Sequence, residues 1–575
     1  MPLPCPSPHV AGLVPYHVPR HPAPLDLHLD GIGGLPLPSD LFARLHDADP
    51  DALVRQYPSA DGVRDRLARR IGLPAERVIV TAGGDDALDR LCRGYLAPGR
   101  SIVVPEPTFE MIPRYARWAG ATLRSVPWPG GAWPLDAVLA ACDDTTTIVA
   151  VVTPNNPTGQ TITADQLRQL AEALPETLLM VDLAYIEFAD VDLTTMVAAL
   201  PNAVGFRTMS KAWGLAGLRV GYAFGPASVI ATLRAAGNPY TVSGPSLHLA
   251  ADRLDHASEA SEAFCARVRS QRDALTAELC DLGLDAQRSQ ANFVFARTPH
   301  ALWLRDACAG LGIGIRAWPG HPTLGDAVRI NVPGDDAVLE RVRHALRASL
   351  RPEAILFDMD GVLADVSRSY RSAIVATAAH HGVRLTNDDI RAAKAAGGAN
   401  NDWVLTQRLM AQAGTNVDLA QVTETFERLY QGTPETPGLK ETERLLLDPT
   451  VLAALQKDRR LAIVTGRPRK DAYDFLDRNR LTGYFEAVVC MEDGPCKPDP
   501  FPVQEAMRCL GVTRAWMIGD TVDDIRAARA AGVVPIGVVP PGEDASHSEP
   551  TLLRAGAAVV LHATSFLPDL LERCR

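Results

Sequence analysis

The stretch RTMSKAWGLAGLRVGY, residues 207–222, is the strongest local signal in the first half of this 575-residue chain. Ser210 and Lys211 stand at the end of an apolar run, and Arg219 follows eight residues after the lysine. A lysine amine in such a position can form a Schiff base with a carbonyl compound. The stretch therefore predicts covalent chemistry at the end of a buried strand, and the surrounding sequence indicates which kind.

The chain around this stretch alternates short apolar runs with longer amphipathic segments. From about residue 53 to 350 the runs are RVIVTAG, SIVVPEP, TTIVAVVTP, TLLMVDLAY and AVGFRTMS, which is typical of a parallel sheet flanked by helices. From residue 354 the pattern restarts with AILFDMD, RLAIVTGR, EAVVCMED, RAWMIGD and VPIGVV. Because 575 residues are too many for one hydrophobic core, we expect two α/β domains, residues 1–350 and 351–575. Between about 366 and 448 only helical patterns occur, which predicts a helical insertion after the first strand of the second domain.

Composition narrows the functional classes. Hydrophobic residues make up 47% and charged residues 22% of the chain, as in a folded protein. A net charge of -11 argues against a surface for nucleic acid or for anionic lipid. The ten cysteines are scattered without a CxxC pair, so we expect a reduced, cytoplasmic protein with no zinc site. The proline-rich first 25 residues lack the features of a secretory signal, and no apolar run reaches membrane-spanning length.

The residues at the other strand ends of the first domain fit one cofactor. Pyridoxal phosphate needs an amine, an acid opposite its pyridine nitrogen, donors for its phosphate and a flat face on which to stack. Asp182 ends the run LLMVD and is the candidate acid, while Phe109 in PEPTFE offers an aromatic face. Tyr185 and Asn156 are candidates for bonds to the ring hydroxyl. The phosphate candidates are backbone N–H groups where a strand turns into a helix, at Gly83, Gly84 and Asp85.

Together and in this order, the motifs resemble the fold-type-I aminotransferases, and more narrowly the histidinol-phosphate aminotransferases over about residues 12–348. The resemblance rests on PY at 15–16, YPSADGVRDRLA at 57–68, TPNNPTG, DLAYIEF, the stretch quoted above, ANFVF at 291–295 and VRINV at 328–332. It implies the pyridoxal-phosphate-dependent transferase fold, a large α/β domain plus a small α+β domain.

The resemblance also implies a role for individual residues. Lys211 becomes the imine lysine and proton carrier, and Asp182 becomes the partner of the pyridine nitrogen. The remaining assignments are the phosphate ligands Ser210 and Arg219, Tyr57 reaching the phosphate of the other subunit of a homodimer, and Tyr16, Arg316 and Arg329 on the anionic end of the substrate. Two departures stand out: HLDGIGG at 28–34 replaces the family's Asn-Glu-Asn segment, and Leu183 replaces a glutamate beside Asp182.

The second domain carries a different set of groups, at the ends of its own apolar runs. In FDMDGVLAD, Asp358 can attack phosphorus while Asp360 donates a proton to the leaving oxygen and then activates water. The later strand ends supply a hydroxyl, a cation and metal ligands, namely Thr465, Lys497, Asp520 and Asp524. A phosphoryl group repels a carboxylate unless a metal and a lysine offset its charge, and oxygen ligands favour Mg²⁺. The predicted metal ligands are Asp358, Asp360, Asp520 and Asp524.

These motifs resemble the haloacid dehalogenase superfamily over about residues 353–570, with the insertion of about 366–448 as its cap. The second aspartate, Asp360, resembles the phosphatase branch of that superfamily, and the implied fold is a Rossmann-like α/β domain. The polar segment KAAGGANNDW at 394–403 is a candidate for substrate contact, and a plain surface loop is an open alternative.

The pair of domain types matches two neighbouring steps of histidine biosynthesis. These are transamination between imidazole acetol phosphate and histidinol phosphate, with glutamate and 2-oxoglutarate, and hydrolysis of histidinol phosphate to histidinol. Such a fusion raises the local concentration of the second substrate. The alternatives are an aminotransferase or decarboxylase acting on phosphoserine or threonine phosphate, and a pyridoxal-phosphate-binding sensor fused to a phosphatase. In every case the expected partners are small molecules.

Overall fold

The computed structural model describes residues 5–15, 19–31, 33–46, 48–399 and 401–572. The chain divides into two compact units. The first unit comprises residues 1–18, 29–298 and 316–340, and the second comprises residues 19–28, 299–315 and 341–575. The predicted α/β class with parallel sheets is confirmed. Among the described residues, no helix combines the length and the apolar character needed to cross a membrane.

The strands, in chain order, are β1 (Leu27–His28), β2 (Val78–Thr81), β3 (Ser101–Glu106), β4 (Thr122–Pro127), β5 (Thr146–Val152), β6 (Leu178–Asp182), β7 (Ala203–Thr208), β8 (Gly221–Phe224), β9 (Asp285–Ala286), β10 (Phe293–Arg297), β11 (Ile313–Gly314), β12 (Arg316–Ala317), β13 (Ala327–Asn331), β14 (Ala354–Phe357), β15 (Ala364–Asp365), β16 (Gly432–Thr433), β17 (Thr436–Pro437), β18 (Arg444–Leu445), β19 (Arg460–Val464), β20 (Ala487–Val489), β21 (Ala515–Gly519), β22 (Val534–Val538) and β23 (Val559–Leu561).

The α-helices, in chain order, are α1 (Asp61–Ile71), α2 (Gly83–Tyr95), α3 (Met111–Trp118), α4 (Leu135–Ala141), α5 (Ala164–Ala173), α6 (Thr194–Ala199), α7 (Ala227–Ala235), α8 (Gly244–His256), α9 (Ser258–Asp281), α10 (Ala301–Gly310), α11 (Asp336–Leu350), α12 (Tyr370–His380), α13 (Asn387–Ala396), α14 (Asp402–Gln412), α15 (Leu419–Gln431), α16 (Pro449–Leu455), α17 (Arg469–Arg478), α18 (Phe501–Leu510), α19 (Val522–Ala530), α20 (Ala545–Ala555) and α21 (Leu567–Glu572).

The first unit is built on a seven-stranded sheet in the order β2-β8-β7-β6-β5-β3-β4. Strand β8 runs antiparallel to both of its neighbours, and the other pairs are parallel. Strands β2 and β7 are buried at every position, as expected for strands covered by helices on both faces. As a result, β2, β3, β5, β6 and β7 all end at one edge of the sheet, and β8 begins there. A separate antiparallel sheet, β12-β13-β10-β9, follows later in the chain.

The second unit is built on a six-stranded sheet in the order β20-β19-β14-β21-β22-β23, with all pairs parallel. Phe357 of β14 pairs with Ile463 of β19 on one side and with Ile518 of β21 on the other. The residues that follow these three central strands therefore emerge side by side at the carboxyl edge, where open α/β sheets bind their ligands.

The predicted insertion contains helices α12–α15. Two-residue strands also occur there: β15 pairs with β18 where the chain leaves and re-enters the sheet domain, and β16 pairs with β17 in a short hairpin. Strands of this length carry no periodicity, so the sequence pattern predicts helices alone.

The second unit includes residues from before position 350, and two buried tryptophans contribute to their packing. The rings of Trp303 in α10 and Trp516 in β21 lie 4.7 Å apart. The indole of Trp303 donates a 2.9 Å hydrogen bond to the carbonyl of Ser349, and that of Trp516 donates one of 2.8 Å to the carbonyl of Ala348. A large aromatic side chain buries much apolar area, so these contacts hold α10 and the end of α11 in the second unit. The boundary at 350/351 stays a prediction about functional domains.

Candidate active sites

The predicted pyridoxal phosphate residues lie at one edge of the seven-stranded sheet. Asp182 is the last residue of β6, Lys211 follows β7 by three residues, and Asn156 follows β5. Arg219 comes just before β8, the strand that begins at this same edge. Thr81, Gly221 and Thr208 are aligned across β2, β8 and β7, which fixes the order of the loops above them. Topology thus brings together residues that are far apart in sequence.

Asp182 is buried, and its carboxylate accepts a 3.0 Å hydrogen bond from the backbone N–H of Ala184. The pKa of Asp182 is raised to about 7, chiefly by burial and also by the negative charge of Asp85, against the opposing effects of the Ala184 hydrogen bond and the positive charge of Lys211. A cation placed against this carboxylate would offset the cost of its burial. The protonated pyridine nitrogen of pyridoxal phosphate is such a cation, so Asp182 fits the cofactor.

Lys211 and Tyr185 lie next to each other, with the lysine Nζ 5.3 Å from the centre of the tyrosine ring. The ring of Tyr185 is itself held edge-on by Phe293 at a centroid distance of 5.2 Å. Lys211 is the only lysine among residues 1–350 of the sequence. An amine for a Schiff base in this half of the chain therefore has one possible side-chain source.

An anion cradle lies beside this lysine. Helix α2 begins at Gly83, and the first N–H groups of a helix have no partner within the helix. The guanidinium of Arg219 donates to the carboxylate of Asp85 at 3.1 Å and to Oγ of Ser210 at 3.5 Å. Gly83 has φ +81°, a left-handed conformation that favours glycine, and a Cβ there would lie 2.5 Å from Nη2 of Arg219 and would push the guanidinium aside. A helix N-terminus, a hydroxyl and an arginine together suit a phosphate.

Arg329, a predicted substrate-binding residue, contacts two other parts of the first unit. Its Nη1 donates a 2.6 Å hydrogen bond to Oδ1 of Asn156, and its Nη2 donates one of 2.7 Å to the carbonyl of Asp30. The guanidinium also lies 4.9 Å from the centre of the Phe293 ring. The two prongs of one buried arginine therefore hold both Asn156, the predicted ring-hydroxyl ligand, and the backbone at Asp30.

Gly34, the last residue of HLDGIGG, lies close to Lys211, the predicted imine lysine. Gly34 has φ +119°, and a Cβ there would lie 1.9 Å from the carbonyl oxygen of Lys211. Any side chain at position 34 would have to displace backbone, so this position requires glycine. Leu183, the other departure, is fully buried, and nothing in the structure explains the loss of a carboxylate there.

The remaining predicted residues of the first site differ in how they are placed. Arg316 is buried, with Nη2 3.8 Å from the Glu110 carboxylate and its guanidinium 5.3 Å from the centre of the Trp318 ring. Phe109 is half-buried and packs against the core of the large sheet, so its stacking role stays a prediction. Tyr57 is 83% exposed. Tyr16 lies outside the described residues.

The second site is centred on Lys497. Its Nζ donates a 2.8 Å hydrogen bond to Oδ1 of Asp358 and lies 2.5 Å from Oδ1 of Asp524. It also donates to the carbonyl of Val464, at 3.0 Å. The pKa of this buried lysine is raised by the charges of the two carboxylates, which outweigh its own burial. A protonated ammonium is thereby held beside the predicted nucleophile.

Three carboxylates converge around this lysine. Oxygens of Asp358, Asp520 and Asp524 lie within 4.8 Å of one another. Burial, followed by the charge of Asp524, raises the pKa of both Asp358 and Asp520. Among the described residues, Oδ1 of Asp520 is buried and finds no hydrogen-bond donor. The oxygen ligands and the excess negative charge fit a hard divalent cation, and they agree with three of the four predicted ligands.

The side chain of the fourth predicted ligand, Asp360, is turned elsewhere. Its Oδ1 accepts a 2.6 Å hydrogen bond from Nε of Arg467, a residue that the sequence reasoning missed. Thr465 is buried at the end of β19, and its Oγ1 accepts a 3.1 Å hydrogen bond from the backbone N–H of Arg467. The position of Arg467 two residues after Thr465, in VTGRP, is the signal that could have found it.

The insertion places its own charged pair near these carboxylates. Nζ of Lys394 lies 3.9 Å from Oδ1 of Asp402. Burial alone would lower the pKa of this lysine, but the charge of Asp402, followed by those of Asp520 and Asp360, raises it. The backbone N–H groups of Gly398 and Ala399 donate to the buried carboxylate of Asp523, each at 3.0 Å. The described part of the predicted contact segment 394–403 is thus docked onto the core beside Asp524.

The comparisons with known proteins assign a family to each half of the chain. Residues 40–346 match the family Aminotransferase class I and II, and residues 355–538 match the family Haloacid dehalogenase-like hydrolase. A histidinol-phosphate aminotransferase of Ruegeria pomeroyi is 35% identical over 310 residues, covering 52% of this chain and 84% of that protein. An imidazoleglycerol-phosphate dehydratase of Phytophthora nicotianae is 46% identical over 236 residues, covering 38% of this chain and 52% of that protein. This chain therefore spans about half of that relative.

A solved structure shares the fold. Histidinol-phosphate aminotransferase from Sinorhizobium meliloti, in complex with pyridoxal-5'-phosphate, has a TM-score of 0.54 at 23% identity, covering 60% of this chain and 97% of that chain. This likeness concerns the fold alone. Because the first family match extends over more than half of the sequence, the chain belongs to the class I and II aminotransferases, and a haloacid dehalogenase-like hydrolase domain follows in the same chain.

Proposed function

We propose that the aminotransferase domain binds pyridoxal phosphate and transfers an amino group to and from a phosphorylated substrate. The observation that carries this proposal is the convergence of Lys211, Asp182 and Arg219 at one sheet edge. The bound cofactor would act as an electron sink. Lys211 provides the amine and carries the proton on its Nζ, Asp182 keeps the pyridine nitrogen protonated, and Ser210 with Arg219 holds the phosphate.

The hydrolase domain then acts as a Mg²⁺-dependent phosphatase in this proposal. Asp358, Asp520 and Asp524 would hold the cation, which offsets the charge of the phosphoryl group. Lys497 holds the nucleophilic carboxylate of Asp358 in place through the 2.8 Å hydrogen bond. We assign the two activities to residues 1–350 and 351–575, with a cap at about 366–448.

The proposed substrates belong to histidine biosynthesis. The aminotransferase would interconvert imidazole acetol phosphate and histidinol phosphate, and the phosphatase would release histidinol. The names of the relatives from Ruegeria pomeroyi and Phytophthora nicotianae support this pathway. Arg316 and Arg329 are both buried in the first unit, and a planar guanidinium suits a phosphate better than an ammonium does.

We further propose a homodimer in which Tyr57 completes the partner's cofactor site. In its own subunit the Tyr57 side chain is 83% exposed and stacks on Tyr240 at a ring distance of 4.8 Å. Val54, close by, is 75% exposed. A second subunit would cover this apolar surface. A reduced, cytoplasmic location also remains part of the proposal, on the strength of the scattered cysteines.

A substrate screen of the purified protein tests the whole proposal. Histidinol phosphate, phosphoserine and threonine phosphate are each supplied with 2-oxoglutarate or with Mg²⁺, and glutamate formation and phosphate release are followed separately. We expect histidinol phosphate to be the best substrate in both assays. A clear preference for phosphoserine or threonine phosphate would move the assignment to another phospho-amino acid. Cofactor absorbance without turnover of any amine would favour the sensor.

A further inference from the structure

One arginine of the hydrolase domain, Arg467, is fully buried although its side chain is charged. The side chain of Arg467 is 0% exposed. It lies between two aromatic rings, with its guanidinium carbon 4.9 Å from the centre of Tyr370 and 5.4 Å from that of Phe475. An ionised group is kept in such a place only where other groups pair with it. The partners of Arg467 therefore reveal what it is there to hold.

One partner is Glu443, whose side chain is also 0% exposed. Nη1 and Nη2 of Arg467 reach the two carboxylate oxygens at 3.2 and 3.1 Å, a two-pronged pair. Glu443 also accepts 3.0 Å hydrogen bonds from Oγ of Ser369 and from the hydroxyl of Tyr430. Ser369 lies just after β15 and Glu443 just before β18, so this carboxylate joins both segments that connect the insertion to the core.

The other partner is the predicted acid and base. Nε of Arg467 donates a 2.6 Å hydrogen bond to Oδ1 of Asp360, whose side chain is 23% exposed. The three nitrogens of one rigid guanidinium thus connect the junction of the insertion to Asp360. Arg467 therefore holds Oδ1 of Asp360, and proton transfer in the mechanism below is assigned to Oδ2.

We propose that Arg467 is a positioning residue that orients Asp360 for proton transfer and couples this orientation to the junction of the insertion through Glu443. The inference rests on the proposed phosphatase function. In the first step an oxygen of Asp358 bonds to phosphorus while the ester P–O bond breaks, and the leaving oxygen takes the proton from Asp360. In the second step Asp360 takes a proton from water, whose oxygen bonds to phosphorus as the bond to Asp358 breaks.

Cleavage of a phosphate ester requires a general acid only when the leaving group is a poor one. Esters with different leaving groups can therefore show whether Arg467 positions Asp360 or only stabilises the fold. An alkoxide needs a proton as it leaves, whereas p-nitrophenolate leaves without one. The test compares Arg467→Gln with wild type on p-nitrophenyl phosphate and on whichever of histidinol phosphate, phosphoserine and threonine phosphate the wild type hydrolyses fastest. We expect kcat/KM to fall by roughly 10²-fold for the alkyl ester, in the range for loss of general acid catalysis, and by less than about tenfold for the aryl ester.

A second readout reports the other step. Because Asp360 also activates water, the variant should release a burst of p-nitrophenol equal to the enzyme concentration and retain phosphate on Asp358, detected by intact mass after an acid quench. Wild type provides the reference without a burst. Equal losses of kcat/KM on both esters, with no burst, would overturn the proposal and leave Arg467 a purely structural residue.

Two further variants complete the experiment. Arg478→Gln is the matched control, because the side chain of Arg478 reaches Glu443 at 3.4 Å and, among the described residues, otherwise contacts Lys440 and Asp474 rather than Asp360. The ratio of alkyl to aryl kcat/KM for this variant should equal that of wild type. Glu443→Gln keeps the shape of the side chain and serves if Arg467→Gln fails to fold, with the same shift in ratio expected. An unchanged ratio in a folded Glu443→Gln protein contradicts the coupling. Wild type that releases phosphate from none of the esters refutes the proposed function instead.

Discussion

The ammonium of Lys497 lies 2.8 Å from Oδ1 of Asp358, and both side chains are buried. This short contact joins the end of β14 to a loop 139 residues further along the chain. A carboxylate that must attack a phosphoryl group is repelled by it, and the lysine offsets part of that repulsion. In the proposed phosphatase this contact marks the end of the sheet at which the reaction takes place.

Replacing Asp358 by Asn should abolish phosphate release, because an amide is a very poor nucleophile at neutral pH. Lys497 keeps Asp524 as a partner at 2.5 Å, so the fold should survive the change. Transamination should continue at the wild-type rate, since Lys211 lies in a different sheet. Both activities are measured on the same preparation, and phosphate release by a folded Asp358→Asn protein would show that another residue attacks.

Removing Mg²⁺ should have the same selective effect. Asp358, Asp520 and Asp524 hold a concentration of negative charge that a divalent cation would neutralise. We expect a chelator to stop phosphate release and added Mg²⁺ to restore it, while transamination is unaffected. The temperature at which the hydrolase domain unfolds should also increase when Mg²⁺ is added, because a cation that binds only the folded state stabilises that state. Undiminished phosphate release in the chelator would refute the metal site.

Lys211→Ala should remove transamination and the visible absorbance of the bound cofactor, and leave phosphate release unchanged. The attachment of the cofactor to Lys211 can also be determined without an activity assay, because Lys211 is the only lysine among residues 1–350. Borohydride reduction of the loaded wild-type protein, followed by peptide mapping, should place the cofactor on the peptide that contains Lys211. Modification confined to lysines after residue 350 would rule out this assignment.

The sequence predicts most of the two sites because both depend on strand ends. Each site is marked by residues at the end of an apolar run, Asp182 and Lys211 in the first sheet and Asp358 and Asp520 in the second. Parallel strands bring such positions together at the carboxyl edge of their own sheet. The contacts of Arg467 with Asp360 and Glu443 could not be predicted in this way, since they join residues that share no motif. The packing of Trp303 on Trp516 could not be predicted from the sequence either. An apolar residue on a helix indicates that this face is buried, but not which sheet covers it.

The pH dependence of stability should include a contribution from His21. Its Nε2 lies 2.9 Å from the carbonyl of Ala558, and its Nδ1 accepts a 3.1 Å hydrogen bond from the N–H of Ala23. The neutral ring satisfies both contacts, whereas a proton on Nδ1 would face another N–H group. Burial lowers the pKa of His21 to about 4, and the hydrogen bond to Ala558 and the charge of Arg305 have smaller effects.

The sign of this contribution follows from proton uptake. Between about pH 6.5 and 4 the unfolded chain binds a proton at His21 that the folded protein does not, so the free energy of unfolding falls as the pH is lowered through this window. His21→Gln keeps a donor for the Ala558 carbonyl without titrating. The thermal midpoint should therefore decrease more between pH 7 and pH 4.5 in wild type than in the variant. Equal falls would show that His21 makes no such contribution.

The last prediction concerns the grip of the aminotransferase domain on its substrate. One prong of Arg329 reaches Asn156 at 2.6 Å and the other reaches the carbonyl of Asp30 at 2.7 Å. Arg329→Lys keeps the charge and loses the two-pronged geometry, because an ammonium cannot hold both groups and a substrate anion at once. A hydrogen bond to a charged group contributes roughly 1.5–3 kcal/mol, so kcat/KM for transamination should fall by about tenfold or more.

The same site should distinguish a phosphorylated amine from its alcohol. If a phosphate is gripped at the anionic end, histidinol phosphate should change the absorbance of the bound cofactor far faster than histidinol does in wild type. In Arg329→Lys the two rates should move closer together, while phosphate release by the hydrolase domain stays constant as an internal control. Equal rates for the two amines in wild type would show that no phosphate is held, and the first domain would then be a general aminotransferase joined to an unrelated phosphatase.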